Sequence, residues 1–342
     1  MLIGKRDFFN FLTGSLPNFD NVIVAEKEIS SSVLYLKKIG KDAGKKIELN
    51  SFRSTNPLKY FLYHVREKVY PAEEKFPLNI IVGVKACDLK AVQILDKALL
   101  NENFTDPAYY QWRKNTYLVS ADCDEITESC HCNLVDGKPF ADEGYDLNLS
   151  SLDGYYEITV GSGKGKNLVD RMTKEFSIKD SSDEERKIIK EKREQVLKKL
   201  IEQNKDSSRK ENYGRFRNVE MKNWEDESSN CVGCGACTNI CPTCYCIILN
   251  DESKLKSEEF IKVRSYDSCQ WFGYARVAGG GTPRSKMHQR FRNRYLCKFD
   301  YMPSNFAETG CTGCGRCIDA CPAGIDFRKV VHNTSINAEQ LI

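Results

Sequence analysis

The chain is short of net charge. Its 51 Lys and Arg against 48 Asp and Glu leave only +3 over 342 residues. That is too little to imply a nucleic acid or a membrane surface as partner. Long apolar runs are missing as well, so no segment approaches a membrane span. Met1–Gly14 does not read as a secretory signal, because Lys5, Arg6 and Asp7 interrupt a short apolar stretch. There is no complete dinucleotide fingerprint and no acid–base or nucleophile set. Neither flavin nor NAD is therefore expected in this chain, nor substrate chemistry by this chain alone. What is abundant is cysteine, at sixteen residues. In a chain without a secretory signal the expected compartment is the cytoplasm, and there many reduced cysteines mean metal rather than disulfides. Several exposed clusters would suit an anaerobe.

One stretch occurs twice. The first copy is Cys231-Val-Gly-Cys234-Gly-Ala-Cys237-Thr-Asn-Ile-Cys241-Pro242, the second Cys311-Thr-Gly-Cys314-Gly-Arg-Cys317-Ile-Asp-Ala-Cys321-Pro322. This is the ligand run of a four-iron cluster as found in bacterial-type ferredoxins. A tight loop wraps three thiolates around one cube. Gly233, Gly235, Gly313 and Gly315 supply the positive φ and close backbone approach that the wrapping needs. The fourth cysteine, led away by proline, reaches the other cube. The expected grouping is crossed: Cys231, Cys234 and Cys237 with Cys321, and Cys311, Cys314 and Cys317 with Cys241. A structural zinc site would leave a cysteine surplus in each loop.

Upstream, Asp7–Leu12 and Leu58–Val69 read as amphipathic helices and Asn21–Val24 as a strand. Leu78–Val84 is a continuous apolar run, a buried strand, and Leu89–Leu100 has helical periodicity with Asp88 as its N-cap. Cys87 then sits at a strand's carboxyl end and a helix's amino end, where open α/β sheets bind ligands. The helix dipole and Lys85 would both favour its thiolate. Thr116–Ser120 is a second strand, followed by Cys123, Cys130, His131 and Cys132. Spacing alone leaves two readings open for Cys87, Cys123, Cys130 and Cys132: a third four-iron cluster, or buried inert cysteines with a zinc site. Asp146–Leu149 and Tyr155–Val160 form a strand pair about Asp153-Gly154. Gly161-Ser-Gly163-Lys-Gly165 reads as a glycine turn, with a phosphate cradle as the less favoured alternative. Asp183–Asn204 is a charged helix with a Ser182/Glu185 capping box, and Asp206–Arg215 a polar loop.

The arginine-rich stretch Arg276–Lys298 lies between the two motifs. Charge compensation of anionic clusters, or a docking surface for an acidic partner subunit, explains it better than nucleic-acid binding. Cys244, Cys246, Cys269 and Cys297 stay unassigned. The expected fold class is α+β. An N-terminal α/β domain (1–175) carries a cluster at its loop edge. A charged helical connector (176–219) leads to a mostly helical dicluster ferredoxin-like domain (220–342).

Several segments, in order, resemble one known family. They are Gly83–Leu89, Asp122-Cys123 through Cys130–Asn133, Cys241-Pro-Thr-Cys-Tyr-Cys246, Asp267–Gln270, the basic stretch 278–298 and Cys311–Asp326. The family comprises the beta subunits of soluble [NiFe] sulfhydrogenases and the iron–sulfur electron-transfer subunits of anaerobic sulfite reductases. The resemblance covers roughly residues 78–330. It implies an iron–sulfur electron-transfer subunit with several [4Fe-4S] clusters, three here, and so favours a cluster at Cys87, Cys123, Cys130 and Cys132. It also implies two partners. One is a subunit binding flavin and NAD(P), the other a catalytic subunit of hydrogenase or sirohaem sulfite reductase type. Related proteins often carry an aromatic where this chain has His131, and a C-terminal docking extension after the second motif is not expected here. Other functions remain conceivable from the sequence. A terminal sulfur or polysulfide reductase would act at an incompletely ligated cluster near Cys244, Cys246 or Cys269. A formate- or heterodisulfide-linked complex could use the same wire, and a zinc-stabilised nucleic-acid binder is a third class.

Overall fold

The computed structural model describes residues 1–14, 18–28, 33–39, 47–208, 216–253 and 260–339. Most of the loop expected at Asp206–Arg215 lies outside them. The elements in chain order are β1 (Leu2–Gly4), α1 (Lys5–Gly14), β2 (Asn21–Lys27), β3 (Leu34–Lys38), β4 (Arg66–Tyr70), β5 (Asn79–Val84) and α2 (Ala86–Leu99). A short hairpin, β6 (Leu100–Asn101) and β7 (Phe104–Thr105), leads to α3 (Pro107–Lys114), β8 (Thr116–Ala121), β9 (Leu147–Ser151), β10 (Tyr155–Val160), α4 (Gly163–Glu175) and α5 (Asp183–Gln203). Then come α6 (Met221–Glu227), α7 (Ala236–Asn239), β11 (Ile247–Ser253), β12 (Phe260–Tyr266), α8 (Met287–Leu296), α9 (Met302–Phe306), α10 (Arg316–Asp319) and α11 (Phe327–Glu339).

The apolar runs build a seven-stranded sheet in the order β1-β10-β9-β8-β5-β2-β3. Its centre, β2, β5, β8 and β9, is parallel. Antiparallel pairs close both edges. β5 is buried along its whole length, as a parallel strand covered on both faces must be. Helix α1 contributes Phe8, Phe11 and Leu12 to the core and α4 contributes Leu168, Val169 and Met172. α2 buries Leu89, Val92, Leu95 and Leu99 at helical spacing. The parallel arrangement brings the carboxyl ends of β5 and β8 side by side, so Cys87 and Cys123 follow neighbouring strands. Cys-bearing loops are thereby gathered at one sheet edge.

Two local expectations change. Leu58–Val69 is not one helix: Leu58–Phe61 forms a single 3₁₀ turn and Arg66–Tyr70 becomes β4. The cause is distant in sequence. β4 pairs with β12, with Glu67 opposite Arg264, and makes a three-stranded sheet β11-β12-β4. Arg264, buried on β12, takes Glu67 and Asp106 as ion-pair partners, which local helical periodicity cannot foresee. Asp88 is not the N-cap of α2 either, because the helix begins at Ala86 and Lys85 holds the extended cap position.

A second core lies under the cysteine-rich half. Phe216, Trp224, Phe291, Tyr295, Phe299, Phe327, Val330 and Val331 pack together, with Tyr295 stacked on Phe327 at 4.8 Å. α5 packs Ile189 against Leu2 and Leu152, with its Ser182/Glu185 capping box formed and Ile189, Val196 and Leu200 buried. Its C-terminal end holds the Cys130 loop: Gln203 Nε2 and Asn204 Nδ2 donate to the Cys130 carbonyl at 2.9 and 3.0 Å. Among the described residues no helix is long and apolar enough to cross a membrane.

Candidate metal centre

Close backbone approach explains the glycine-rich turn before α4. Ser162 caps that helix through the Gly165 amide at 3.1 Å and its hydroxyl donates to Asp146. A Cβ on Gly165 would collide with the Asp146 carbonyl. A carboxylate already faces this helix start, so a phosphate would meet like charge there.

The thiols, by contrast, gather into groups. Cys87 lies in the first turn of α2, and it shares the lining of one cavity with Cys132 and Thr312. The Cys123 thiol is within electrostatic reach of Cys87 and Cys130, and Cys132 of Cys130 and Cys123. The four therefore form one group. Burial pushes Cys87 and Cys132 well up, and Cys123 up to about 11. For Cys87 this outweighs the expected help from the helix dipole. Lys85 acts chiefly on Cys123, while its own ammonium donates to the Leu49 and Asp122 carbonyls at 2.7 and 3.1 Å. Thiols held in the protonated state by burial give up their protons to a bound metal. Thr312 Oγ1 is buried without a hydrogen-bond partner, which leaves a free hydroxyl in the same cavity wall.

The two motifs are brought together crosswise. Cys231, Cys234, Cys237 and Cys321 line one cavity, which Cys317 also borders. Cys311, Cys314 and Cys317 each lie within electrostatic reach of Cys241. Backbone amides aim at the sulfurs, with Gly313 N at 3.4 Å from Cys311 Sγ and Ile325 N at 3.4 Å from Cys321 Sγ. Arg294 lies between the two groups. Its guanidinium acts on Cys317, Cys237 and Cys241 and sits 4.7 Å over the Phe327 ring. Arg294 is buried and its Nε has no partner. A buried cation with an idle donor calls for an anion nearby, and thiolate-ligated clusters on either side would supply it. Among the described residues no three His, Cys, Asp or Glu side chains converge tightly enough for a single ion. A cubane, being larger, needs its thiolates set further apart.

The basic stretch thus divides. Arg290, Arg294 and Lys298 turn inward and are buried, whereas Arg276 and Lys286 stay exposed. Only the inward set can compensate buried charge.

Sequence reasoning missed how the first thiol group locks onto the second motif. The Arg316 guanidinium clasps the Asp88 carboxylate at 2.9 and 2.7 Å and donates to the Ser54 carbonyl. Arg53 pairs with Asp319, donates to the Cys314 carbonyl, and reaches Ser129 Oγ at 3.1 Å. The His131 amide donates to the Gly313 carbonyl at 2.8 Å. The His131 ring is buried and pulled down to about 4 by that burial, and it stacks on Phe327. Its Nδ1 is 2.9 Å from the Ser129 carbonyl and its Nε2 3.9 Å from Cys311 Sγ. Its influence therefore falls on the second motif. A hint existed in the sequence, since the second motif carries Arg316 where the first has Ala236.

Comparison with known proteins shows what the chain as a whole is similar to. The 4Fe-4S dicluster domain family matches residues 230–325. Over 294 residues the chain is 33% identical to sulfhydrogenase 2 subunit beta of Pyrococcus furiosus, covering 83% of this chain and 84% of that one. The chain belongs to the sulfhydrogenase beta subunit family. A more distant relative is the F420-dependent formate dehydrogenase subunit beta of Methanocaldococcus jannaschii, 23% identical over 190 residues. That match spans 55% of this sulfhydrogenase-type chain and 41% of the formate dehydrogenase subunit. As a sulfhydrogenase beta-type subunit the chain carries the iron–sulfur dicluster domain at its C-terminal end, behind the mixed α/β sheet.

Proposed function

We propose that this chain relays single electrons along iron–sulfur clusters within a multi-subunit oxidoreductase of the cytoplasm. Its neighbours on this reading are a flavin- and NAD(P)-binding subunit and a catalytic subunit, hydrogenase first and sirohaem sulfite reductase second. The observation that carries the reading is the crossed gathering of the motif thiols about buried Arg294, with a third thiol group locked against them. The proposed ligands are Cys231, Cys234, Cys237 and Cys321 for one cluster, Cys311, Cys314, Cys317 and Cys241 for the next, and Cys87, Cys123, Cys130 and Cys132 for the third. Bound there, the clusters supply one-electron oxidation and reduction.

The residues of the chain do the rest. The Gly313 and Ile325 amides donate to ligand sulfurs and stabilise the reduced, more negative state. The aromatic core of Phe291, Tyr295 and Phe327 excludes water from the first cavity. Cys234 is the exposed thiol of the twelve, so its cluster is the natural point of exchange with a neighbouring subunit.

Two measurements test this. Protein purified without oxygen should hold about twelve irons per chain in these three groups, and Cys130→Ser about four fewer. Equal iron in the two would show that the first thiol group binds none. Second, Arg294→Leu should lower the midpoint potentials of both dicluster signals. One lost charge at an effective dielectric near 20 is worth about 1–2 kcal/mol, or on the order of 50–100 mV. An EPR-monitored redox titration reads the shift, and unchanged potentials would deny Arg294 its compensating role.

A further inference from the structure

Four cysteines take no part in the sites above, and they are not scattered. Cys244 and Cys246 lie just before β11 and Cys269 just after β12. Cys297 ends α8. The antiparallel pair β11–β12 brings the first two segments together, with Asp267 N bonded to the Cys246 carbonyl at 2.9 Å. Cys297 is presented by a π-helical turn, Cys297–Tyr301. Such a turn holds one residue more than an α-turn, and it is typically kept where function needs a side chain re-aimed.

The thiols of Cys246, Cys269 and Cys297 act on one another. The Tyr274 hydroxyl feels all three and lies 3.9 Å from Cys246 Sγ. Cys244 hydrogen-bonds with Cys241 and shares the surroundings of the Tyr245 hydroxyl with Cys297 and Cys246. Gln270 Nε2 donates to Cys269 Sγ at 3.3 Å, a sulfur-directed donor like those of the motif loops.

Charge gives an independent argument. Lys59 and Lys298 are each 1% exposed. Lys59 donates to the carbonyls of Asn239 and Cys244, and Lys298 to Thr243 Oγ1 at 2.7 Å. Among the described residues neither has a carboxylate partner. Instead Lys298 faces Cys241, Cys244 and Cys297, and Lys59 faces Cys244, Cys241 and Cys246. Two buried ammonium groups without carboxylates need anions. Cys241 alone, shared with the second motif, offers one.

We infer that Cys244, Cys246, Cys269 and Cys297 form a fourth iron–sulfur site, the ligand set of a further [4Fe-4S] cluster beside Cys241. A single zinc ion fits poorly, because no three of these side chains converge on one point. The inference rests on the chain being an iron–sulfur protein, but its ligand set includes none of the twelve thiols assigned above.

Native mass spectrometry of anaerobically purified wild-type chain, with iron and zinc analysis, tests it. Cys269→Ser and Cys297→Ser are each expected to lose one cluster, about four irons, and one EPR signal, while the two dicluster signals persist. Wild type and both variants carrying the same iron would overturn the inference. So would a single zinc that disappears in the variants while iron stays constant. Should one serine variant fail to fold, the other variant and the cluster count of the wild type decide. Failure of the three-cluster reading is seen separately, as constant iron in Cys130→Ser.

Discussion

Gly313→Ala is expected to destabilise the protein by roughly 2–5 kcal/mol and to lower its iron content, whereas Gly324→Ala costs only about 1–2 kcal/mol. Both glycines have the same φ, +64°, so the backbone penalty for a left-handed alanine is common to the pair. Their surroundings differ. A Cβ at Gly324 meets nothing within 4 Å, while at Gly313 it would come within 2.5 Å of Cys132 N and the His131 carbonyl. Those are backbone atoms of the loop that carries two proposed ligands, and they cannot rotate aside. The loop must retreat, breaking the hydrogen bond from the His131 N–H to the Gly313 carbonyl. Urea unfolding of the two variants under anaerobic conditions compares them directly. If Gly313→Ala proved no worse than Gly324→Ala, the tight seating of one loop in the other would be wrong.

The second large effect is expected at the Asp88–Arg316 pair. Arg316→Met should cost about 3–5 kcal/mol, because it strands a carboxylate in the interior. Asp88 is 2% exposed and Arg316 1%, so water cannot replace the lost partner. The double variant Arg316→Met, Asp88→Leu should recover much of the loss, since two apolar groups leave no unpaired charge. A double-mutant cycle on unfolding free energies measures this coupling. Additive losses would mean that the two residues act separately. The pair also spans the first turn of α2 beside Cys87 and the loop beside Cys314. Reduced iron in Arg316→Met is therefore expected along with reduced stability.

The ferredoxin-type motifs are legible in the sequence because their information is local: three cysteines and two glycines within seven residues dictate a wrapping loop. The strands Leu78–Val84, Thr116–Ser120 and Tyr155–Val160 are legible for a similar reason, as apolar runs bounded by turn residues. Leu58–Val69 misleads because β4 owes its conformation to β12, with Glu67 and Arg264 197 residues apart. Asp88 looks like a cap because it precedes a periodic helix. Its true partner, Arg316, is 228 residues away. The sequence sets His131 between two cysteines, but its ring direction depends on Ser129 and Phe327, which no spacing rule supplies. The four cysteines outside the three proposed ligand groups can be counted from the sequence. Their convergence needs the β11–β12 pairing and the π-helical turn.

The locking contacts also bear on how the protein comes into being. Arg53 is made long before its acceptor, the Cys314 carbonyl, which follows 261 residues later. Lys59 likewise waits for the Asn239 and Cys244 carbonyls. Synthesis proceeds from the amino end, and domains generally fold as they emerge. Until those later segments are made, the amino-terminal half must therefore carry charged groups whose interior partners do not yet exist. The second cysteine motif, once made, closes the structure around them. On the proposed ligand assignment, a cluster held by Cys87, Cys123, Cys130 and Cys132 would be sealed in only by that closure, so the nascent chain must stay open there until then.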